Sequence, residues 1–327
     1  MRQIPLVPVL LGALAIAAYA QEPDSSVSRQ APVFRSSTSL VALNVSVTDG
    51  RQFVSNLRRD DFAVFEDGVQ QEVRFFEARE VPLDLVLLID TSSSMRHRMP
   101  DVHTAAINFV NTLREQDRGA IVTFASSVQV AQALTSDKAA LHAAIQRTEG
   151  DGGTALHNAL YIALRQFAAG TSGKESEEVR RQVFAVLSDG HDTTSLLSFD
   201  DVLEEARRSR ATIYTITLRS EYAPHTAELA RLASRAEFAM RRLAQETGGQ
   251  AFVAAHEREL RHIYDGIAAE LSSQYAVGYA PSNTRADGLL RRILVRVISR
   301  PELRTRARTG YVAEGSRLVG ATRSGGD

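Results

Sequence analysis

The sequence predicts an α/β fold in which a mostly parallel sheet, with one antiparallel strand and helices on both faces, is inserted in a small antiparallel β-domain. Three observations predict this arrangement. Residues 83–89 form a nearly continuous apolar run, which is typical of a central strand covered on both faces. Short apolar segments then alternate with helical stretches as far as residue 272. Segments in which apolar and polar residues alternate, as in half-buried strands, lie on both sides of this region.

Composition excludes several classes of protein. The chain of 327 residues is long enough for about two domains of ordinary size. Its 38 Lys and Arg residues balance 39 Asp and Glu residues, so the net charge of -1 excludes a general polyanion binder and predicts no nucleic-acid partner. Cysteine is absent from the sequence, which excludes disulfide scaffolds, thiol nucleophiles and Cys-ligated metal sites.

Residues 1–20 have the pattern of a signal peptide. Arg2 precedes an apolar stretch over residues 4–18, and small residues stand before a cleavage point near Ala20. We therefore predict an exported protein, periplasmic or extracellular after cleavage, with no membrane span in the mature chain. An uncleaved membrane anchor is the alternative, but the apolar run is shorter than the ~20 residues that span a bilayer. Residues 21–37, rich in Ser, Gln and Pro, are predicted to be a flexible lead-in.

Residues 38–80 and 273–314 are predicted to be the two halves of one β-domain, because neither half is large enough to be stable alone. Alternating polarity predicts their strands, and the turn Glu66-Asp67-Gly68 predicts a hairpin in the first half. Residues 315–327 are predicted to be a flexible tail. The predicted strands lie at 41–47, around 62–64, and at 69–76, 275–279, 293–298 and 303–309.

The last two predicted strands carry arginines at alternate positions. An anion-binding strip is one interpretation of this pattern, and the solvated face of an antiparallel sheet is the other. We favour the solvated face. The arginines concerned are Arg292, Arg296, Arg300, Arg304, Arg306 and Arg308.

Residues 81–272 are predicted to form the inserted α/β domain. Strands 120–124 and 128–133 are so close in sequence that we expect them to form the antiparallel pair of the sheet. The other strands after 83–89 are predicted at 182–187, 212–218 and 250–253. Helices are predicted at 99–114, 137–147, 155–169, 198–209, 225–247 and 256–272.

Three segments of this domain place oxygen-bearing side chains where a strand ends or a helix begins. Asp90, Ser92 and Ser94 follow the first apolar strand at alternate positions. Thr154 follows a glycine turn at the start of a helix, and Asp189 ends another apolar strand. In open α/β sheets, ligands bind beyond the carboxyl ends of strands where the strand order reverses, and we expect these side chains to converge there.

Oxygen donors of this kind suit a hard divalent cation. Mg²⁺ prefers six oxygen ligands and retains some of its waters, and Mn²⁺ or Ca²⁺ would accept the same donors. The two carboxylates only neutralise a dication, and the three hydroxyls add no charge. The metal would therefore remain electrophilic toward a further anionic oxygen, so we predict a protein partner that offers an Asp or Glu carboxylate.

These residues resemble the metal-ion-dependent adhesion site of von Willebrand factor A domains. The similarity covers about 81–272 and implies a Rossmann-like domain in which Asp90, Ser92, Ser94, Thr154 and Asp189 hold Mg²⁺ directly or through water. The flanking segments are similar to those of secreted bacterial A-domain proteins of the sort frequent in Acidobacteria. The resemblance also implies that the last helix, about 256–272, shifts when the metal site engages its ligand.

We expect a binding module rather than an enzyme, and three alternatives remain. A secreted serine hydrolase would use Ser94 with His157 or His191 and Asp189, but the chain has no G-x-S-x-G elbow. The motif residues could also cap helices and turns without binding a metal, since Ser, Thr and Asp are common there. A structural scaffold with no metal-dependent binding is the third.

Overall fold

A computed structural model of the chain describes residues 40–78, 81–168, 180–189, 192–219 and 226–313. All of them lie in one compact unit. No helix in these ranges is both long and apolar enough to cross a membrane. The predicted signal peptide (1–20), lead-in (21–37) and tail (315–327) lie outside the described residues.

The central layer is a sheet that has six strands within the described residues. They run in the order β11-β10-β9-β6-β7-β8, and every neighbouring pair is parallel except β7 and β8. Both β6 and β9 are buried at every position because helices cover both faces of the sheet. The predicted fold class is therefore confirmed. The strands are Leu83–Asp90 (β6), Arg118–Phe124 (β7), Val128–Thr135 (β8), Arg181–Ser188 (β9), Thr212–Leu218 (β10) and Ala251–Ala254 (β11).

Helices cover this sheet on both faces. In the described part of the chain, α1, α2 and α6 pack on one face and α3, α4 and α5 on the other, each group around its own apolar cluster. Pro100 stands in the first turn of α1, where a missing backbone N–H has no cost, and Ser198 caps α4. The helices are Met99–Asn111 (α1), Lys138–Gln146 (α2), Leu156–Ala163 (α3), Phe199–Arg208 (α4), Ala227–Thr247 (α5) and Glu259–Ser273 (α6).

The flanking segments form two antiparallel sheets that share one apolar core. One sheet has the order β14-β1-β12-β5, with β2 beside β1, and the other has the order β15-β13-β3-β4. Each sheet combines strands from before and after the α/β layer, and Val45, Val64, Val277 and Val295 lie in the core between them. The strands are Val41–Asp49 (β1), Gln52–Phe53 (β2), Phe62–Glu66 (β3), Val69–Gln71 (β4), Val73–Glu77 (β5), Tyr275–Tyr279 (β12), Leu290–Val297 (β13), Arg304–Arg306 (β14) and Gly310–Val312 (β15).

The chain crosses between the two flanking sheets at two places, once within a segment predicted as a single strand and once directly after another. Residues 69–76 become β4, which pairs with β3, and β5, which pairs with β12. Of the predicted strand 303–309, only Arg304–Arg306 form a strand, β14 beside β1, and β15 follows the predicted segment and pairs with β13. The chain crosses from one sheet to the other at each break, which a local alternation of polarity does not reveal.

The arginine pattern of the last strands has two different outcomes. Arg292 and Arg296 are exposed on β13, as expected for a solvated face. The same interpretation is wrong for Arg306 and Arg308. Arg306 forms an ion pair with the buried Glu270 of α6. Arg308 donates to backbone carbonyls at the end of α4, at 2.8 and 2.9 Å, where the helix dipole favours a cation.

Candidate functional site

The predicted reversal of strand order lies between β6 and β9. Strands β7 and β8 lie on one side of β6, whereas β9, β10 and β11 lie on the other. Ile89 is paired with Leu187, so Asp90, the last residue of β6, and Asp189, the first residue after β9, lie at the same edge of the sheet. The two carboxylates predicted to share a site are therefore brought to the place where open α/β sheets bind their ligands.

Asp90 is a fully buried carboxylate held in a fixed orientation. One oxygen, Oδ1, accepts the backbone N–H of Ser92 at 2.8 Å, and Oδ2 accepts the hydroxyl of Ser188 at 2.6 Å. Burial raises the pKa of the Asp90 carboxyl from 3.8 to about 6 against the effect of these hydrogen bonds, and the nearby Asp189 also raises it. A bound cation would offset this cost of charge, because it stabilises the ionised form.

Ser92 and Ser94 present their hydroxyls at a single point beside Asp90. Their Oγ atoms lie 3.0 Å apart, although Ser92 is buried and Ser94 is exposed. Ser92 is extended and precedes a 3₁₀ turn, Ser93–Arg98, so the chain bends directly after the carboxylate. The buried Met95 anchors this turn in the apolar core. The three residues of the first motif are thus close together, as predicted.

The loop that carries Thr154 is tied to the first motif through the backbone. The N–H of Asp151 donates to the carbonyl of Thr91 at 2.7 Å, and the N–H of Ser93 donates to the carbonyl of Gly152 at 3.0 Å. Gly152 has a φ of +82°, which other residues rarely adopt, so a glycine is required at this turn. The two loops therefore form one unit.

Thr154 has a hydroxyl that is available for a ligand. The residue is 4% exposed, and its backbone N–H donates to the Thr193 hydroxyl at 2.9 Å. Its carbonyl accepts the N–H of Thr193 at 2.9 Å. Among the described residues no side chain or backbone group forms a hydrogen bond with the Thr154 hydroxyl. A hydroxyl oxygen in this state can contact a metal ion or a water molecule.

Asp189 stands directly after β9 and is half-buried. Its carboxylate is close enough to Asp90 to raise the pKa of that carboxyl. The residues that follow, Gly190 and His191, lie outside the described part of the chain. The structure thus places all five predicted ligands in three loops at one edge of the sheet.

The donor set suits a cation that prefers oxygen. In the described residues there is no group of three or more His, Asp or Glu side chains that could hold a metal. A site built from two carboxylates and three hydroxyls does not require three such side chains, and it leaves coordination positions for water or for a ligand oxygen. The residues present therefore fit a Mg²⁺ ion.

Ser188 and Thr193 are site residues that the sequence did not reveal. Ser188 fixes Asp90, and Thr193 holds both backbone groups of Thr154. Asp192 accepts the backbone N–H of His157 at 2.8 Å, so it ties the same loop to the start of α3. Hydroxyl residues near strand ends are a weak signal, because only the folded loops show which group each one contacts.

Ser94 and His157, two of the residues considered for a hydrolase, contact other groups rather than each other. The Ser94 hydroxyl bonds to Ser92, and in the described ranges no imidazole forms a hydrogen bond with it. The His157 ring lies 3.2 Å from the Leu197 carbonyl and 3.3 Å from Asp192, so it braces the loop after β9. His191 lies outside the described residues.

Comparison with known proteins gives a family match over more than half of the chain. The family model of the von Willebrand factor type A domain matches residues 84–265. Uncharacterized protein sll0103 of Synechocystis sp. is 30% identical over 101 residues, which cover 30% of this chain and 24% of that protein. Uncharacterized protein YfbK of Escherichia coli is 37% identical over 99 residues, which cover 29% of this chain and 17% of that protein. The matches thus span only a quarter or less of these relatives.

Solved structures with low sequence identity are also similar. A von Willebrand factor type A protein from Catenulispora acidiphila aligns with a TM-score of 0.49 at 15% identity, covering 86% of this chain and 65% of that one. The vWF domain of the type V pili tip protein Mfa5 from Porphyromonas gingivalis aligns with a TM-score of 0.45 at 17% identity, covering 58% of this chain and 94% of that one.

Proposed function

Because the chain belongs to the von Willebrand factor type A domain family, we propose that it is an exported binding module, not an enzyme, that holds one divalent cation at the β6–β9 edge. The cation is Mg²⁺, held by Asp90, Ser92, Ser94, Thr154 and Asp189 directly or through water. A protein partner binds by adding an Asp or Glu carboxylate to the metal shell.

The observation that supports this proposal most strongly is the state of Asp90. A fully buried carboxylate beside a second carboxylate is costly, and the hydrogen bonds from Ser92 and Ser188 do not offset its burial. A divalent cation would offset it. The Thr154 hydroxyl and the Ser92–Ser94 pair supply neutral oxygens that complete such a site without adding charge.

The charge of the site favours an anionic ligand. Two carboxylates neutralise a dication, and no further acidic group belongs to the proposed shell. A ligand carboxylate would bind the metal at the open position, where the neutral hydroxyls do not compete for charge. Ser94 is exposed, so this side of the site is accessible to a partner protein.

Export and the absence of catalysis rest on separate observations. Residues 1–20 have the pattern of a signal peptide, which supports a periplasmic or extracellular location. The hydrogen bonds of Ser94 and His157 are directed to other groups, which argues against a serine nucleophile activated by that histidine.

A thermal-shift titration of the full chain with Mg²⁺ and Mn²⁺ tests the proposal. At an ion concentration of about 100 Kd, binding should raise the Tm by about 5 °C. Ser94→Ala should reduce this shift, because it removes a ligand. Ser93→Ala is the matched control, since it changes an exposed neighbour on the same turn that is outside the proposed shell. Equal shifts in the two variants, or no shift in the unmodified protein, would refute the metal site.

A further inference from the structure

An open groove of about 800 Å³ lies on the outer face of the flanking sheet β15-β13-β3-β4. This face points away from the apolar core that the two flanking sheets share. One wall is the outer face of β13, which presents Leu290, Arg292, Leu294 and Arg296 in alternation. All four side chains are exposed, and Leu290 and Leu294 are 39% and 48% exposed. The groove shares no residue with the proposed metal shell.

Residues of α4 and α5 form the opposite wall of the groove, and one carboxylate already neutralises part of the positive charge of this wall. Glu246 is the one acidic side chain among the described residues that line the groove. Its carboxylate accepts hydrogen bonds from Nε and Nη2 of Arg207, at 2.6 and 3.0 Å, and from Nε of Arg242, at 3.0 Å. Two arginines thus share one carboxylate, and this wall keeps an excess of positive charge.

Arg292 and Arg296 add positive charge, although the Asp67 carboxylate accepts the backbone N–H of Arg292 at 2.9 Å. In the described part of the chain neither guanidinium forms an ion pair. The groove therefore holds four arginines against one glutamate, although the whole chain has a net charge of only -1. This local excess favours an anionic occupant.

The apolar residues distinguish a peptide from a simple polyanion. Leu294 lies directly opposite Phe65 of β3, and both line the groove beside Leu290. Side chains on one face of a strand recur about every 6.7 Å, so arginine and leucine alternate along the groove with a fixed period. An extended peptide has the same period. The side chains on the face that meets the groove come from every second residue, and they can place a carboxylate on each arginine and an apolar group on each leucine.

We propose that this groove binds an extended acidic peptide segment of a partner protein, in which acidic and apolar side chains alternate along the face that meets the groove, at every second residue. The peptide lies across the sheet face and is recognised by its side chains. It does not add a strand, because β13 is already paired with β15 and β3 on its two edges. The site is distinct from the proposed metal site and does not depend on it.

Fluorescence anisotropy of the full chain tests this proposal with a labelled eight-residue peptide in which Glu and Leu alternate at every second position and Ser occupies the positions between them. EDTA is present throughout, so that a metal-bound carboxylate cannot contribute to binding. We expect saturable binding that weakens as salt is added. Arg292→Glu with Arg296→Glu should weaken it by about tenfold or more, because both charges are reversed. Arg59→Glu with Arg285→Glu is the matched control, since it changes the net charge equally at exposed arginines that do not line the groove, and it should bind like the unmodified chain.

Three further measurements define the outcome. Leu294→Ser should weaken binding several-fold, and the Glu and Ser peptide, in which Ser replaces each Leu, should bind more weakly than the Glu and Leu peptide. Arg292→Gln with Arg296→Gln provides a milder variant if charge reversal impairs folding, and it should also weaken binding. Absence of binding, equal loss in the control pair, or equal affinity for the Glu and Ser peptide would overturn the proposal. Displacement of the peptide by tripolyphosphate at equal concentration would also overturn it and indicate a phosphate site.

Discussion

Replacing Asp90 by Asn should stabilise the metal-free protein and abolish its response to Mg²⁺. Asp90 is fully buried, and burial raises the pKa of its carboxyl from 3.8 to about 6, so the ionised side chain destabilises the fold at neutral pH. An amide has nearly the same shape but no charge. In EDTA at pH 7.5 the variant should gain about 1–3 kcal/mol in free energy of unfolding.

The pH dependence of this gain has a definite sign. A carboxyl whose pKa is higher in the folded state penalises folding above that pKa, and the penalty disappears as the pH falls from about 6 toward 3.8. Urea unfolding in EDTA should therefore show a large difference between variant and parent at pH 7.5 and a small one at pH 4.5. Asp60→Asn, at an exposed position, is the control and should show neither effect. A less stable variant in EDTA, or one that still responds to Mg²⁺, would contradict the proposed role of Asp90.

Replacing Glu270 by Ala should destabilise the protein by about 3–5 kcal/mol. Glu270 is 1% exposed on α6, and its Oε1 accepts Ser46 at 2.7 Å, Tyr214 at 2.8 Å and Gln274 at 3.2 Å. Its other oxygen pairs with Arg306. Removal of the carboxylate would leave the buried hydroxyls of Ser46 and Tyr214 without their acceptor, which costs more than the contacts themselves contribute.

This cluster links three parts of the fold, so its loss is informative about cooperativity. Ser46 and Arg306 belong to the flanking sheets, and Tyr214 belongs to the central sheet. We expect one unfolding transition in urea for the parent and for Glu270→Ala. Glu270→Gln keeps an acceptor oxygen and should lose less, about 1–2 kcal/mol. Glu237→Ala breaks an exposed pair with Arg241 and should change stability by at most about 0.5 kcal/mol. A loss for Glu270→Ala no larger than that of Glu237→Ala would show that the cluster does not stabilise the fold.

Much of the fold was predictable because its signals are local. The apolar run at 83–89 is buried at every position, since a parallel strand covered on both faces needs no polar side. The short gap after Phe124 predicted the antiparallel pair of β7 and β8. The divided strands of the flanking sheets were not predictable, because alternation gives the face of a side chain and not the sheet to which it belongs.

In the candidate site, contacts between residues that are neighbours in sequence were predictable, whereas contacts between distant segments were not. Asp90, Ser92 and Ser94 are neighbours in sequence, so their convergence follows from an extended turn at a strand end. The Ser188 bond to Asp90 joins two strands that are far apart in the sequence, and Thr193 reaches Thr154 from a different loop. Arg306 was misassigned for the same reason, because its partner Glu270 lies on a helix and not on a neighbouring strand.

Water-proton relaxation with Mn²⁺ tests the central claim most directly, because it reports both the ion and its exchangeable waters. The full chain should bind one Mn²⁺ and enhance the relaxation rate, and added glutarate should reduce the enhancement as a carboxylate replaces bound water. Thr154→Val, which keeps the shape of the side chain and removes its hydroxyl, should bind Mn²⁺ more weakly, whereas Ser93→Ala should behave like the parent. No enhancement in the parent, or an enhancement that glutarate leaves unchanged, would contradict a carboxylate-binding metal site.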